Sequence, residues 1–534
     1  MRLLKIFLAA AGLVATAAAQ TNTSQELRPL ALEDCVQIAL EHNLQVQITR
    51  YNPEIARFTW RASYGAYDPS FFVSGEHDYS LSPGGVDAQG RSYSGNQTDT
   101  DAFRTGIQGL LPWGLNYNLG GSLSDTYGSR PSTFTDFSQP VVTTNSFVDI
   151  NTGNTVAFAT TNFAVVLGRS EFETTSGNVG LLQLRQPLLK NFLIDSTRLQ
   201  ILLNRSNLKI SELDLRAQLM TTITEVERAY YNLIFSQENV TVQRKALEFA
   251  EQLLAENRKR VEVGALAPLD EKQAQAQAAG SRADLLAAIG TEDTQQRVLK
   301  VLLSDDYSKW KDVRISPTIA LVAVPERFDL QESWRRGLSQ RPDLLQQRIN
   351  LEKQGQVVRF QKNQLLPQLD VIGTYGYNAG SREFSGALDQ FARTENPFYS
   401  YGAQLTVPLT RTAARNSYQG AKATREQIEL QVKQLEQGVL ILIENTISVA
   451  NTSFQRVQAT REARIYAEAA LSAEQRKLAS GKSTSFEVLR LQRDLTTARS
   501  AEIRALADYN IALADLALNE GSTLERRKVA VELK

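Results

Sequence analysis

The sequence predicts a mixed α and β membrane protein, in which long helical hairpins join a β-barrel that other copies of the chain must complete. Three observations carry this expectation. Two helical stretches, 195–264 and 410–481, contain no proline, and about seventy residues of helix span about 100 Å, too long to bury inside one compact domain. Short segments of alternating polarity follow prolines at 69 and 367 and precede prolines at 187 and 408. The same order of parts occurs twice along the chain.

Taken in order, residues 1–19 give a basic start (Arg2, Lys5), an apolar run from Ile6 to Val14 and small residues Ala17 and Ala19, which reads as a secretory signal peptide. No later apolar run is long enough for a spanning helix, leaving a periplasmic, secreted or β-barrel protein. A first repeat is expected over 20–327: a helix at 30–66, strands carrying a large insertion at 82–176, the long helix 195–264, a helix at 268–303 and a mixed linker at 304–327. A second repeat is expected over 328–520: a helix at 328–364, strands at 368–408, the long helix 410–481 and a helix at 485–520, followed by a tail, 521–534. Leu32 falls on Leu330, Leu40 on Leu338 and Pro69 on Pro367 at a single offset, and Pro187 and Gly264 correspond to Pro408 and Gly481. Helices 268–303 and 328–364 together match one long helix in length, as do 485–520 and 30–66, so two tall hairpins are expected. The β-branched runs in RISPTIALVAVPERF and in the tail KVAVELK predict a small mixed belt of strands and helices.

Alternation defines the strands. Leu369, Val371, Gly373, Tyr375 and Tyr377 share one face, with Gln368, Asp370, Thr374 and Asn378 on the other. Tyr399, Tyr401, Leu405 and Val407 repeat the pattern, as do Phe71, Val73, Tyr79 and Leu81 against Ser70, Ser74, Glu76, Asp78 and Ser80. One apolar, tyrosine-bearing face and one polar face suit a barrel with lipid outside and water within. Four such strands leave open edges, so the barrel must be shared among chains. The interval Pro69 to Pro187 is far longer than Pro367 to Pro408. Inside it, Leu115, Tyr117, Leu119 and Leu123 alternate with Asn116, Asn118, Ser122 and Ser124 after the turn Pro112-Trp113-Gly114. This is an additional hairpin, giving either six strands per chain or four with the hairpin outside the membrane span. The expectation adopted is four, with the surplus forming an extracellular elaboration.

Composition narrows the function. Lys plus Arg and Asp plus Glu are both 58, so no net charge draws the chain to nucleic acid. Cys35 is the single cysteine, which excludes an intrachain disulfide and a cysteine-based metal site. His42 and His77 are too few for a multi-histidine metal centre or a convincing Ser-His-Asp assembly. No P-loop or dinucleotide fingerprint is present, so neither catalytic residues nor a cofactor is expected.

The openings LALEDCVQIALEHN and FDLQESWRRGLSQR, the prolines flanking the strands, QPLLKNFLIDSTRLQI before the first long helix, and the paired turns RVEVGALAPLDEKQAQAQ and LASGKSTSFEVLRLQRD resemble TolC-type outer-membrane efflux proteins across nearly all of residues 28–520. The resemblance implies a homotrimer in the outer membrane of a Gram-negative cell, with a β-barrel continued by a periplasmic α-barrel. It further implies a passive exit duct for efflux or type I secretion, docked by a periplasmic adaptor and an inner-membrane pump. Asp270 and Glu487 occupy the acidic position of the family's turn motif. Rings of such acids would bias a pore toward cations or hold it shut; alternatively both are first-turn acids favoured by the helix dipole. Arg490 stands where the family carries a further acid, and Leu478 where a gate tyrosine aligns, so Asp270, Glu487 and Arg490 are the pore-gate candidates without the family's full lock. The basic stretches QRKLASGK and ENRKRVEVG fit either an adaptor contact or a solvated face. Two other readings are a general outer-membrane porin, which needs no 100 Å helices, and a secreted coiled-coil scaffold, which needs no tyrosine-rich strands. Nothing in the sequence names a cargo.

Overall fold

The computed structural model describes residues 26–529 apart from 87, 89 and 265. The expected signal peptide, 1–19, and the last five residues of the tail lie outside the described residues. β1 (Glu26–Leu30), α1 (Leu32–His42) and α2 (Leu44–Ala62) lead through a 3-10 turn (Ser63–Tyr67) to β2 (Ser70–Leu81), β3 (Gly85–Val86), β4 (Ser92–Tyr93), β5 (Gln97–Leu110), β6 (Asn116–Val148) and β7 (Thr155–Pro187). Then come α3 (Ser196–Glu262), α4 (Pro268–Leu303), α5 (Tyr307–Trp310), β8 (Val313–Pro317), α6 (Leu330–Gln340) and α7 (Pro342–Asn363). The chain ends with β9 (Gln368–Ser381), α8 (Phe384–Arg393), β10 (Asn396–Thr406), α9 (Thr412–Ala479), α10 (Ser485–Glu520) and α11 (Thr523–Arg526).

Element lengths pair off between the halves: α3 and α9 have 67 and 68 residues, α4 and α10 have 36 each, and α1 and α6 have 11 each. The long helices stop where glycine permits a left-handed residue, at Gly264 (φ 76°) and Gly481 (φ 72°). The helices expected at 30–66 and 328–364 are each broken once. Asn43 accepts hydrogen bonds through Oδ1 from the amides of Gln45 (2.9 Å) and Val46 (3.2 Å) and so caps α2. Pro342 forces Arg341 into an extended conformation (ψ 124°), ending α6.

Contacts divide the chain into two compact units. The first comprises residues up to 54, 209–348 and 431 onward. Its main core joins Leu32, Cys35 and Val36 of α1 to Met220, Ile223, Tyr230 and Leu233 of α3, Leu299 and Leu303 of α4, Ile315 of β8 and Leu524 of α11. Tyr230 is fully buried; its hydroxyl donates to the Leu30 carbonyl (3.0 Å) and accepts from the Thr318 amide (3.2 Å). Of the expected belt, β8 pairs in parallel with β1; most of the tail run lies outside the described residues, and its described end packs Val529 against the core. Gln296 holds Ile315 from both sides, donating to its carbonyl (2.7 Å) and accepting from its amide (3.1 Å). α10 is tied to two neighbours. Ser485 donates to Asn257 (3.0 Å) and Ser500 to Asn239 (2.8 Å) on α3, while Arg499 pairs with Glu468 (2.6 Å) and Asp508 with Arg456 (3.5 Å) on α9.

The second unit comprises 55–208 and 349–430. Its centre is a six-stranded sheet in the order β10-β9-β7-β6-β5-β2, with every pairing antiparallel. The sheet thus has six strands where four were expected. The hairpin β5–β6, turning at Gly114 (φ 91°), is hydrogen-bonded inside the sheet, because each of its strands finds a full-length partner. The remaining surplus does extend beyond the sheet: β6 and β7 run 33 residues each, against 11 to 14 for the other four strands. Where the chain passes from strand to long helix it uses non-glycine residues at positive φ, Asn191 and Leu193 before α3 and Arg411 before α9. They are held by hydrogen bonds from the Asn191 amide to Asn363 Oδ1 (2.7 Å) and from Arg411 to the Leu365 carbonyl (3.2 Å).

Candidate functional site

The candidate residues fall in two regions, and in the sheet their arrangement is set by register. One row of directly paired residues runs Phe71, Ile107, Leu119, Leu182, Tyr375, Tyr399 across all six strands. The adjacent row runs Ser70, Gln108, Asn118, Gln183, Thr374, Ser400. Successive side chains point to opposite faces, so one face is wholly apolar at this level and the other wholly polar. The apolar side is not covered: Phe71 is 71% exposed and Tyr399 73%. On the polar side, Asp370 is buried and paired with Arg185 (2.7 Å), and it also accepts from Gln368 (2.8 Å). These residues line a cavity of about 230 Å³ with Lys190, Asp195, Ser196 and Thr197. Alternation alone places Asp370 on the polar face but gives no sign of its partner Arg185, whose strand position is concealed by the unexpected length of β7.

The second region is the pair of interhelical turns in the first unit. Pro268 opens α4, where its missing amide costs nothing, and Asp270 Oδ2 accepts from the Ala267 amide (3.3 Å). Thr484 caps α10 through a hydrogen bond from the Glu487 amide (3.4 Å). Glu487 in turn forms an ion pair with Arg490 (2.7 Å). Each gate candidate thus has a local partner, and among the described residues no hydrogen bond or ion pair joins Asp270 to Glu487. Leu478 is occupied in packing, against a buried cluster of Leu471, Val488 and Leu495. Glu474 accepts from Ser483 (2.5 Å) and pairs with Lys477 (3.0 Å), which hold its carboxyl below the usual carboxylate range. Part of the basic charge near the turns is neutralised on its own helix, through Lys477–Glu474 and Arg258–Glu262 (3.6 Å).

The two histidines lie in different units. His42 approaches Asp305 (3.5 Å) and His77 approaches Asp101 (2.8 Å). No helix among the described residues is long and apolar enough to cross a membrane.

Comparison with known proteins gives a consistent result. The family model described as outer membrane efflux protein matches residues 160–304 and 335–521. The outer membrane protein TolC of Vibrio cholerae is 25% identical over 309 residues, covering 57% of this chain and 68% of that protein. Among solved structures, the Campylobacter jejuni CmeC outer membrane channel superposes with a TM-score of 0.62 at 15% identity, covering 92% of this chain and 86% of its own. The outer membrane protein VceC of Vibrio cholerae also gives 0.62 at 15% identity, over 92% and 96%.

Proposed function

The chain belongs to the outer membrane efflux protein family, and from that premise we propose that it is the outer-membrane exit duct of a tripartite efflux or type I secretion system, a passive conduit from periplasm to exterior. The observation that carries this reading is the pair of adjacent rows in the sheet, one entirely apolar and exposed at every position but the half-buried Leu182, the next entirely polar. A six-stranded sheet with that polarity has its apolar face toward lipid, its polar face toward a watery lumen and two open edges, β2 and β10. β2 and β10 run in opposite directions relative to the sheet, so the β2 edge of one copy meets the β10 edge of the next antiparallel, and copies close a barrel without a mismatch. A homotrimer is the assembly this reading takes.

The helices give a second support. On α2, Leu44, Ile48, Tyr51, Ile55 and Phe58 are all exposed and spaced four and three residues apart, the seam of a coiled coil without its partner helix. A neighbouring copy supplies that partner. The helical hairpins then form the periplasmic extension, and the turns after Gly264 and Gly481 form its inner mouth, where a periplasmic adaptor and inner-membrane pump would dock. Asp270 and Glu487 face that mouth as acidic positions, with Arg490 restraining Glu487.

Mass measurement in mild detergent tests the assembly. The expected species has three times the mature mass. A monodisperse monomer with native strand content by circular dichroism would sink the trimer.

A further inference from the structure

The longest strands have a part that the duct does not use. Pairing of β5 with β6 ends at Gln97 and Ser129, and pairing of β9 with β7 ends at Ser381 and Thr175. Past these points β6 and β7 pair as strands only with each other, as far as Val148 and Thr155, while near the ribbon's base Arg91 donates to the Val165 carbonyl (2.8 Å) and Arg169 to Ser94 (2.7 Å). β6 leaves the sheet at the end opposite the turn at Gly114, so in an outer-membrane duct this ribbon projects outside the cell.

Its composition is unlike that of a strand edge meant to stay free. Between Pro131 and Gly168 there is no Lys, Arg or Glu, and the only charges are Asp136 and Asp149. Val141, Val142, Phe147, Phe158 and Phe163 are at least 40% exposed. Free edges in native proteins are normally blunted by charge, proline or bulges. β6 has Pro131, Pro140 and an irregularity between Asp136 and Pro140. Beyond Pro140 neither β6, from Val141 to Val148, nor β7, from Thr155 to Asn162, has any of these devices, and an isolated two-stranded ribbon is marginal in water.

We propose that the ribbons of the three copies pair edge to edge and close over the external mouth of the duct; the proposal rests on the trimeric reading. Two features make the occupant of each free edge a second copy of this chain. Outgoing β6 and returning β7 alternate around a ring, so the β6 edge of one ribbon and the β7 edge of the next are antiparallel, continuing the closure of the barrel below. Between Pro131 and Gly168 each ribbon also carries only two charges, Asp136 and Asp149, so the repulsion on bringing ribbons together is small. The face continuous with the polar side of the sheet bears Phe147 and Phe158, whose rings pack at 5.5 Å; in the ring it turns inward. Six closed strands are too few to leave a channel, since about eight are needed before an interior merely holds side chains. The ribbons form an external closure that parts when cargo leaves.

Distances between the ribbon tips test this. Ile150, in the turn between β6 and β7, is 96% exposed, and a nitroxide is placed there by Ile150→Cys in a Cys35→Ala background. At a strand spacing of about 4.8 Å, tips on a six-stranded ring lie roughly 12 Å apart, whereas ribbons standing separately on an eighteen-stranded barrel lie roughly 30 Å apart. Dipolar spectroscopy on the detergent-solubilised oligomer should give a narrow distribution below about 25 Å, broadened outward by Phe147→Ser with Phe158→Ser. A broad distribution centred beyond about 30 Å would overturn the closure. A second label through Leu409→Cys, a 98% exposed position outside the ribbon, reports the assembly itself. Coupling there without short tip distances refutes the closure alone, and no coupling at either site refutes the trimer and the closure together.

Discussion

Breaking the ion pair between Glu227 and Arg527 should destabilise the first unit in a way that depends on which partner is removed. The Glu227 side chain, on α3, is 3% exposed, and that of Arg527, just past α11, is 19% exposed. Arg527 donates to Glu227 and also lies 3.7 Å from Glu33 on α1. Burial pushes the Glu227 carboxyl up from its ordinary value of 4.5 even though Arg527 pulls it down. Arg527→Ala removes that pull, and the carboxyl can then avoid a buried charge by binding a proton. Protonation caps the electrostatic part of the loss at about 3.4 kcal/mol at pH 7 and about 0.7 kcal/mol at pH 5, at 1.36 kcal/mol per pH unit. The sign follows from linkage: a carboxyl with a raised folded pKa binds more protons when folded, so stability relative to wild type recovers as pH falls and is lost as it rises. Glu227→Ala instead leaves a guanidinium that cannot lose its proton with only the more distant Glu33 as a carboxylate partner, a loss of up to about 3 kcal/mol with little dependence on pH. Replacing both residues by Met should cost less than either single change. Urea unfolding followed by helical circular dichroism, at one protein concentration and at pH 5, 6, 7 and 8, measures all three variants. An Arg527→Ala deficit constant from pH 5 to pH 8 would show that Glu227 stays ionised, and the reasoning would fail.

Two further predictions concern the duct. If Asp270 and Glu487 line the inner mouth, Asp270→Asn with Glu487→Gln should lower cation selectivity in single-channel recordings by at least roughly twofold, since even one of the removed charges, about 10 Å from an ion in water, is worth about 0.4 kcal/mol. Arg490→Ala, which frees Glu487 from its 2.7 Å partner, should raise it; unchanged ratios in both variants would leave the acids as helix caps only. Leu119→Cys lies in the apolar row beside Ile107 and Leu182 and should react with a lipid-soluble maleimide but resist a membrane-impermeant one. Rapid labelling by the impermeant reagent on intact cells would remove the β5–β6 hairpin from the membrane span. The native Cys35 does not interfere, being fully buried with its thiol pushed up to about 12.

Local signals make most of the helical framework legible. Pro268 and Thr484 open α4 and α10, and Gly264 and Gly481 close the helices before them; these act within one turn and can be read from neighbouring residues. The break at Asn43 escapes a sequence reading because the apolar periodicity continues through it without a Gly or Pro, and its capping role shows only once its side chain reaches Gln45 and Val46. β1 cannot be paired from sequence, because its partner Val313–Pro317 is distant along the chain. The faces of β9 and β10 are legible from alternation, yet the sheet has six strands where four were expected. The expected number followed the proportions of the resembled family, whereas Leu119 and Tyr117 already had the alternation of a paired strand. At the turns, the positions of Asp270 and Glu487 follow from their motifs. The pairing of Glu487 with Arg490 is an ordinary helical i, i+3 contact, hidden when Arg490 is considered only as the replacement of an acid.

The ties along α10 constrain how this chain can change in length. Ser485 and Arg499 lie two heptads apart on one helix, one bonded to α3 and the other to α9. Deleting or inserting a few residues in α10 rotates and shifts every later rung on both flanks at once, so single-helix indels are disfavoured at all points below the edit. Only a seven-residue step, or an eleven-residue one with the opposite supercoil, restores the facing positions, and it must be made in α3 and α9 as well. Evolution can therefore lengthen or shorten these packed helices only in coordinated quanta written into several places of the gene, α4 among them because its Arg282 pairs with Glu251 of α3 (2.8 Å).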